Sequence, residues 1–347
     1  MSIGKYDILP MPIATRNTLS FVQIISMKHV SILALRDSNF ASIVDARSVL
    51  LKVNELLALN HQPKAFDVQI VGMQGDTSLS DGLYSIHPEV MTDALKKTDL
   101  IIIPALEGDM MSATHNNRFY VDWIVKQYKR NAEIAALCTG AFMLGFSGLL
   151  RHKKCTTHWQ YANEFRYFYP QVELIDEKII VEHNGLYSSG GSNAYWNLLL
   201  FLVERFVSRE LSIQVAKYFV VNLDKVNQTP FIIFNGLKDH EDTLILQAQE
   251  FIEANYPQKI TVDELADKLH LTRRTFERRF KKGTHCSVIE YLQKVRIEAS
   301  KKELETGRKS IDENILEVGY SDAQTFRDIF KRVTGTTPVE YKNRYAR

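Results

Sequence analysis

Cys138 lies in the stretch AALCTGAFMLG, where an apolar run ends and a helical pattern begins at once. A thiol on such a strand-to-helix turn sits at the carboxyl edge of a sheet, and a helix N-terminus beside it lowers its pKa. Twenty residues on, TTHW offers His158 as a partner for that thiol. The chemistry within reach of such a pair is nucleophilic attack by a thiolate. The same residues also fit a small side chain buried at a tight turn, so both readings stay open. Glu107, Asp109 and His115 follow another apolar run and could line the same crevice or be plain surface residues. Trp159, Tyr161, Phe165, Tyr167, Phe168 and Tyr169 make an aromatic-rich helix that suits a core, a dimer contact, or ring faces holding a cation.

A second chemistry is written in LTRRTFERRFKK at 271–282, where six of twelve residues are Lys or Arg. At about 100° per residue, Phe276 and Phe280 share one helix face and can anchor it in a core. Arg274, Arg278 and Lys281 then point outward, with Arg273, Glu277 and Lys282 on the flanks. An echo follows fifty residues later in SDAQTFRDIFKR at 321–332. There Phe326 and Phe330 are the anchors, and Gln324, Asp328 and Lys331 face outward beside Ala323, Thr325, Arg327 and Arg332. Arginine suits the O6/N7 edge of guanine, glutamine the N6/N7 edge of adenine, and terminal Lys/Arg pairs suit phosphates. A single helix of this kind could be a solvated face on a bundle. Two copies at one offset point to DNA.

The elements that position these residues can be read from periodicity. VSILAL (30–35), FDVQIVGM (66–73), DLIIIPAL (99–106) and AEIAALC (132–138) read as buried strands. Helical spacing at 43–59, 116–130 and 139–150 alternates with them, which predicts an α/β domain with a mostly parallel, flavodoxin-like sheet covered on both faces. VELID, KIIVEH and GLYSSG within 172–190 read as short antiparallel strands, and helices are expected at 191–206 and 210–221. Residues 222–240 read as a linker. Beyond it, Thr275/Thr325, Phe276/Phe326, Phe280/Phe330, Thr284/Thr334, Glu290/Glu340 and Tyr291/Tyr341 align at the fifty-residue offset. The Ser/Thr-x-x-Glu/Gln pattern marks helix starts at Thr261, Ser310 and Ser321, and Thr272 reads as a simple cap. The C-terminal region is therefore expected to be all-α, with helix-turn-helix units at 261–282 and 310–333.

Charge agrees with that division. From Lys268 onward there are 19 Lys/Arg and 11 Asp/Glu, a balance of +8; residues 1–267 hold 24 and 30, a balance of −6. One end is basic and suits a polyanion. Cys138, Cys155 and Cys286 are far apart and lack zinc-ligand spacing, so neither a disulfide framework nor a metal site is expected, and no cofactor is implied. The first twenty residues lack an apolar core of signal-peptide length and no apolar run is long enough to span a membrane, so a cytoplasmic protein is expected.

Residues of about 30–210 resemble the ThiJ/PfpI branch of the class I glutamine-amidotransferase-like fold: AALCTGAFMLGFSGLL followed by CTTHW matches that family's nucleophile elbow and downstream histidine. The resemblance places Cys138 and His158 at the family's nucleophile and histidine positions. Three departures stand out. The stretch RDSNFASIVD has no Glu where active members hold an orienting acid, Pro104-Ala105-Leu106 replaces the Gly pair of the oxyanion site, and Thr139 replaces a His after the Cys. Leu106 still offers a backbone N–H, but without the loop geometry that glycine permits. This combination implies a binding pocket, built from Cys138, Thr139, His158, Leu106 and Glu107, and no catalytic residues. The alternatives are a working cysteine hydrolase or amidase that also binds DNA, and an architectural DNA binder whose first domain only dimerises.

Residues of about 244–345 resemble the DNA-binding domain of AraC/XylS regulators, through TVDELADKLHLTRRTFERRFKK and the more specific GYSDAQTFRDIFKRVTGTTPVEYKNR. The resemblance implies two recognition helices entering successive major grooves of an operator. Together the two resemblances imply a regulator with a sensing and dimerising domain over 1–221, the linker 222–240, and a DNA-binding domain over 241–347. Its effector would be a small metabolite, an amino-acid or amine derivative in related regulators.

Overall fold

The computed structural model describes residues 26–73, 75–223, 227–238 and 240–346. The reading of the first twenty residues, and linker positions 224–226 and 239, lie outside the described residues. Seven strands form the main sheet: β1 (Lys28–Leu33), β2 (Phe66–Gly72), β3 (Val90–Met91), β4 (Leu100–Ile103), β5 (Glu133–Ala136), β6 (Ile180–His183) and β7 (Leu186–Ser189). Their order across the sheet is β6-β7-β5-β4-β1-β2-β3. Every pair is parallel except β6–β7.

Burial on both faces explains why β1, β4 and β5 are nearly continuous apolar runs. Successive side chains point to opposite faces, so Ile32, Ile102 and Ala135 join one core, and Leu33, Ile103 and Ala136 the other. Helices Phe40–Leu59, Tyr195–Phe206 and Arg209–Tyr218 cover the first; Tyr120–Tyr128 and Ala141–Phe146 cover the second. The expected α/β layering is observed.

Local expectations need three corrections. The late strands are only in part an antiparallel group: β6 and β7 pair antiparallel as expected, but Glu173–Leu174 pairs parallel with Lys154–Cys155, and β7 runs parallel to β5. Asn184 (φ 54°) and Gly185 (φ 74°) make the tight turn that reverses β6 into β7, but β7's other edge meets a strand reached by a long crossover, which makes that pairing parallel. The helix expected at 139–150 is only Ala141–Phe146. The helix expected at 116–130 is two, Met110–Asn116 and Tyr120–Tyr128, because Asp109 caps an earlier start by accepting from Ser112 N–H, and the Asn117 amide donates back to the Ala113 carbonyl.

After a single turn at Thr229–Phe231 the chain is helical. Helices Thr243–Asn255, Val262–Lys268 and Arg273–Thr284 form the first unit around one core. The long connector Val288–Thr306 leads to Ile311–Glu317, Ala323–Thr334 and Pro338–Tyr345 around a second core, and Tyr256 packs against both cores. The fifty-residue echo is geometric as well as sequential. Phe280 meets Tyr291 edge-on at 5.4 Å, as Phe330 meets Tyr341 at 5.6 Å. The Thr284 hydroxyl donates to the Phe280 carbonyl, as Thr334 does to Phe330. Capping boxes form at Thr261/Glu264 and Ser310/Glu313 as read, and also at Ser287/Glu290 and Thr337/Glu340. Ser321 is a correction: Asp322 caps that helix, since its carboxylate accepts from Thr325 N–H and competes better than a hydroxyl one residue earlier.

The two helix-turn-helix turns use different residues for one backbone shape. His270 has φ 53° and Gly319 has φ 87°, and a Cβ on Gly319 would project to within 2.4 Å of the Pro257 carbonyl oxygen. Gly319→Ala is therefore expected to lose about 2 kcal/mol or more of stability, whereas His270→Gly should cost nothing or gain up to about 1 kcal/mol. Urea unfolding of the two variants checks this, and equal losses would contradict it.

Candidate functional site

The elbow after β5 is held under backbone strain. Cys138 has φ 53°, a left-handed conformation that costs a non-glycine residue about 1–2 kcal/mol. Hydrogen bonds on both sides hold it: Cys138 N–H donates to Ser189 Oγ at 2.9 Å, and the Thr157 hydroxyl donates to the Cys138 carbonyl at 3.2 Å. The turn opens on a cleft of about 380 Å³ at the carboxyl edge of the sheet. Cys138, Thr139, His158, Leu106 and Glu107 all line it. Asp109 and His115 do not; Asp109 is spent as a helix cap.

The cleft brings together a thiol, an imidazole and the Leu106 backbone. Leu106 N–H donates to Thr139 Oγ1 at 2.8 Å, and that hydroxyl donates back to the Leu106 carbonyl at 2.7 Å. The expected acidified, accessible thiol is not observed. Cys138 is only 4% exposed, and burial pushes its pKa up to about 11, outweighing the hydrogen bonds it receives from Thr139. The three-residue turn Cys138–Gly140 before a six-residue helix supplies too little aligned dipole to reverse that. No hydrogen bond joins the thiol to His158 among the described residues. The imidazole Nδ1 instead accepts from Gln160 N–H at 3.1 Å, and burial lowers the His158 pKa, so the ring is neutral at pH 7.

Asn39, Ser192 and Tyr195 are among the lining residues that escaped the sequence reading. Asn39 comes from the stretch in which active relatives carry an acid; it caps helix Phe40–Leu59 and donates from Nδ2 to Glu107 Oε1 at 2.6 Å. Ser192 and Tyr195 reach the cleft from the turn after β7, with the Tyr195 hydroxyl donating to Asp45 at 2.7 Å. The SGGSN run before Tyr195 was the available signal, a glycine turn at a sheet edge. Of the aromatic series, Tyr161 faces the cleft, Trp159 lies beside His158 at 5.4 Å, Phe165 is core, and Tyr167 is exposed.

In the C-terminal units the four anchors Phe276, Phe280, Phe326 and Phe330 are fully buried. Arg274, Arg278, Lys281 and Lys282 are exposed and, among the described residues, form no ion pair. Arg273 is partly spent, paired with Asp263 at 3.0 Å and Glu277 at 3.2 Å. Arg279 lies outside the candidate set and has a structural task. It grips Asp242 with two hydrogen bonds of 2.9 and 2.6 Å, tying the recognition helix to the cap of Thr243–Asn255 and holding the Asp242 carboxyl below its usual range. On the second helix Ala323 is half-buried, while Gln324, Thr325, Arg327, Asp328, Lys331 and Arg332 are exposed. The Gln324 amide donates to Asp328 at 2.9 Å, and Arg332 donates to Gln293 of the connector at 2.5 Å. Arg296 fixes the spacing of the units: it donates to the Tyr256 and Gln258 carbonyls, both at 2.8 Å, and lies over the Tyr320 ring.

Comparison with known proteins accounts for both halves. Residues 52–205 match the DJ-1/PfpI family model and residues 265–344 a helix-turn-helix domain model. The HTH-type transcriptional regulator GbdR of Pseudomonas aeruginosa is 29% identical over 262 residues, 75% of this chain and 70% of that one. ArgR of the same organism, also an HTH-type transcriptional regulator, is 28% identical over 221 residues, 63% and 67% of the two chains. This chain joins a DJ-1/PfpI-type domain to a helix-turn-helix domain and is a DNA-binding transcriptional regulator. A crystal structure from Vibrio parahaemolyticus, 22% identical over 56% of the regulator and 99% of that chain, shares the α/β fold with a TM-score of 0.50. The regulator binds DNA, and among its described residues no helix is long and apolar enough to cross a membrane.

Burial of the Cys138 thiol has a kinetic consequence. With its pKa raised to about 11, its thiolate fraction at pH 8 is about 100-fold below that of an ordinary cysteine, and its carboxamidomethylation by iodoacetamide should be at least that much slower. The rate should climb with pH toward 11. A rate that levels off below pH 8 would mean an activated nucleophile and reopen the hydrolase alternative.

Proposed function

We propose that the regulator senses a small metabolite in the cleft beside Cys138 without transforming it, and that occupancy of the cleft changes how the helix-turn-helix units engage an operator. The observation that carries this reading is the reciprocal hydrogen bonding between Thr139 Oγ1 and the Leu106 backbone, which occupies the Leu106 N–H. Cys138, Thr139, His158, Leu106 and Glu107 are the ligand-facing residues in this proposal, joined by Asn39, Tyr161 and Tyr195. A carboxylate at Glu107 beside aromatic rings favours an effector with a cationic nitrogen, an amino-acid or amine derivative. The cleft volume of about 380 Å³ suits a molecule of that size.

On the DNA side, Arg274, Arg278, Gln324 and Asp328 are assigned to base edges. Arg273, Glu277, Lys281, Lys282, Ala323, Thr325, Arg327, Lys331 and Arg332 make the surrounding backbone-facing rim. The working division is a sensing domain over 1–221, a linker over 222–240 and the DNA-binding domain over 241–347, acting as a homodimer in the cytoplasm. Sedimentation velocity of the intact chain reads the dimer directly, and a monomer at micromolar concentration removes that part of the proposal.

Genome-wide occupancy of the intact protein tests the whole, with Arg274→Ala/Arg278→Ala as the control. Discrete peaks that vanish in the control are the expected outcome, and the genes beside them nominate the effector. Peaks that persist in the control would remove the first recognition helix from base reading. On a selected operator, Arg278→Ala should cost about 1–3 kcal/mol and relax preference at one base pair. Lys282→Ala should weaken all sequences alike and flatten the logarithmic salt slope by about one. Equal losses for Arg278→Ala on specific and random DNA would reassign that residue to phosphate.

A further inference from the structure

The stretch that reads as a linker is anchored at both ends. Gln228 is 2% exposed, an unusual fate for a glutamine between domains. Its Oε1 accepts from Gly191 N–H at 2.8 Å, and its Nε2 donates to the carbonyls of Asp176 at 2.6 Å and Thr157 at 2.9 Å. Backbone support is added where Gln228 N–H donates to the Glu177 carbonyl at 2.8 Å. The seat is shaped for this side chain: a Cβ on Gly190 would meet the Gln228 amide at 2.6 Å. On either side, Asn227 Oδ1 and Thr229 Oγ1 are buried without a hydrogen-bond partner, so of these three side chains it is the glutamine's oxygen and nitrogen that are fully engaged.

Two of the groups gripping that amide adjoin the effector cleft in sequence. Thr157 precedes His158, and Gly191 precedes Ser192, and both His158 and Ser192 line the cleft. Downstream, the same short strap is fixed to the DNA-binding units. Thr229 Oγ1 packs against Gly335, the left-handed residue that ends the second recognition helix; a Cβ there would come within 2.6 Å of it. Lys301 Nζ of the connector donates to the Ile232 carbonyl at 2.5 Å, and Phe234 N–H donates to Glu298 at 3.1 Å. Five residues of chain, Gln228 to Ile232, therefore run from the groups adjoining the cleft to the connector contact, too short a span to absorb movement as slack.

We infer that Gln228 is the positioning residue through which the cleft acts on the second recognition unit. A ligand that shifts the His158 or Ser192 turn must displace the Gln228 amide, and the strap passes that displacement to the end of the second recognition helix. Coupling of this kind is reciprocal, so DNA binding must also alter the cleft. This inference rests on the cleft being the effector site, and the test below separates the two.

Hydrogen–deuterium exchange of the full-length protein, with and without a saturating duplex chosen by in vitro selection, reads the coupling with DNA alone as the probe. In the wild type, the duplex should change exchange in 156–161 and 189–195 by about fivefold. In Gln228→Met, which keeps the volume and removes the polar atoms, the change should vanish while fluorescence anisotropy still reports a bound duplex. Insertion of two glycines after Thr229 leaves Gln228 seated and slackens the strap, and should abolish the change as well. Persistence of the change in either variant, or its absence in the wild type, overturns the inference. A thermal-shift screen of amino acids and amines against wild type and His158→Ala tests the cleft separately. Failure of that screen with intact DNA-to-cleft coupling sinks the effector reading and spares the strap; a hit without coupling does the reverse.

Discussion

Each recognition helix must be dry on one side and charged on the other, and two phenylalanines one turn apart meet that constraint. Phe276 and Phe280 in one unit, and Phe326 and Phe330 in the other, are fully buried, and each pair is met by a tyrosine from the following helix. Removing four large rings from water supplies the energy that lets a helix carry a run of like charges on its other face. The rotation of the helix about its axis is set by the same contact, so the phenylalanines decide which side chains point outward. Arg279 shows the rule from the other direction: its angular position puts it beside Asp242, and the charge is used to hold the fold together.

A different balance governs the α/β domain. Its elbow keeps the strained backbone of a nucleophile turn, yet several groups around it are already paired. Thr139 and Leu106 satisfy each other, Ser189 takes the Cys138 N–H, and burial keeps the thiol protonated. A cleft in this condition retains shape, a carboxylate and aromatic walls, which are what recognition requires. The Leu106 N–H, which could have stabilised a developing charge, is already paired. The fold offers a ready-made concave site at the carboxyl edge of its sheet, and small changes in who bonds to whom decide between turnover and binding.

The two domains meet through a segment whose composition says loop and whose hydrogen bonds say structure. Gln228 is buried among carbonyls, and Lys301, itself buried, reaches out of the connector helix for the Ile232 carbonyl. Both are polar groups that would be costly to leave unmatched, so the strap is specified by satisfaction of hydrogen bonds and not by apolar packing.

Much of this was legible before any coordinates. Strands with apolar runs at 30–35, 99–106 and 132–138, the duplicated tail, and the caps at Thr261, Thr272 and Ser310 follow from periodicity and local hydrogen bonding, which act over a few residues. The charge split and the outward faces of the recognition helices follow from helical geometry alone. Tertiary structure decided whatever depends on partners distant in sequence: the parallel docking of Leu186–Ser189 on β5, the closure of Leu106 by Thr139, the elevation of the Cys138 pKa, and the burial of Gln228. Burial and hydrogen-bond pairing are properties of a neighbourhood. A sequence declares which groups are available, and only the folded chain determines which of them are still unpaired and within reach of water.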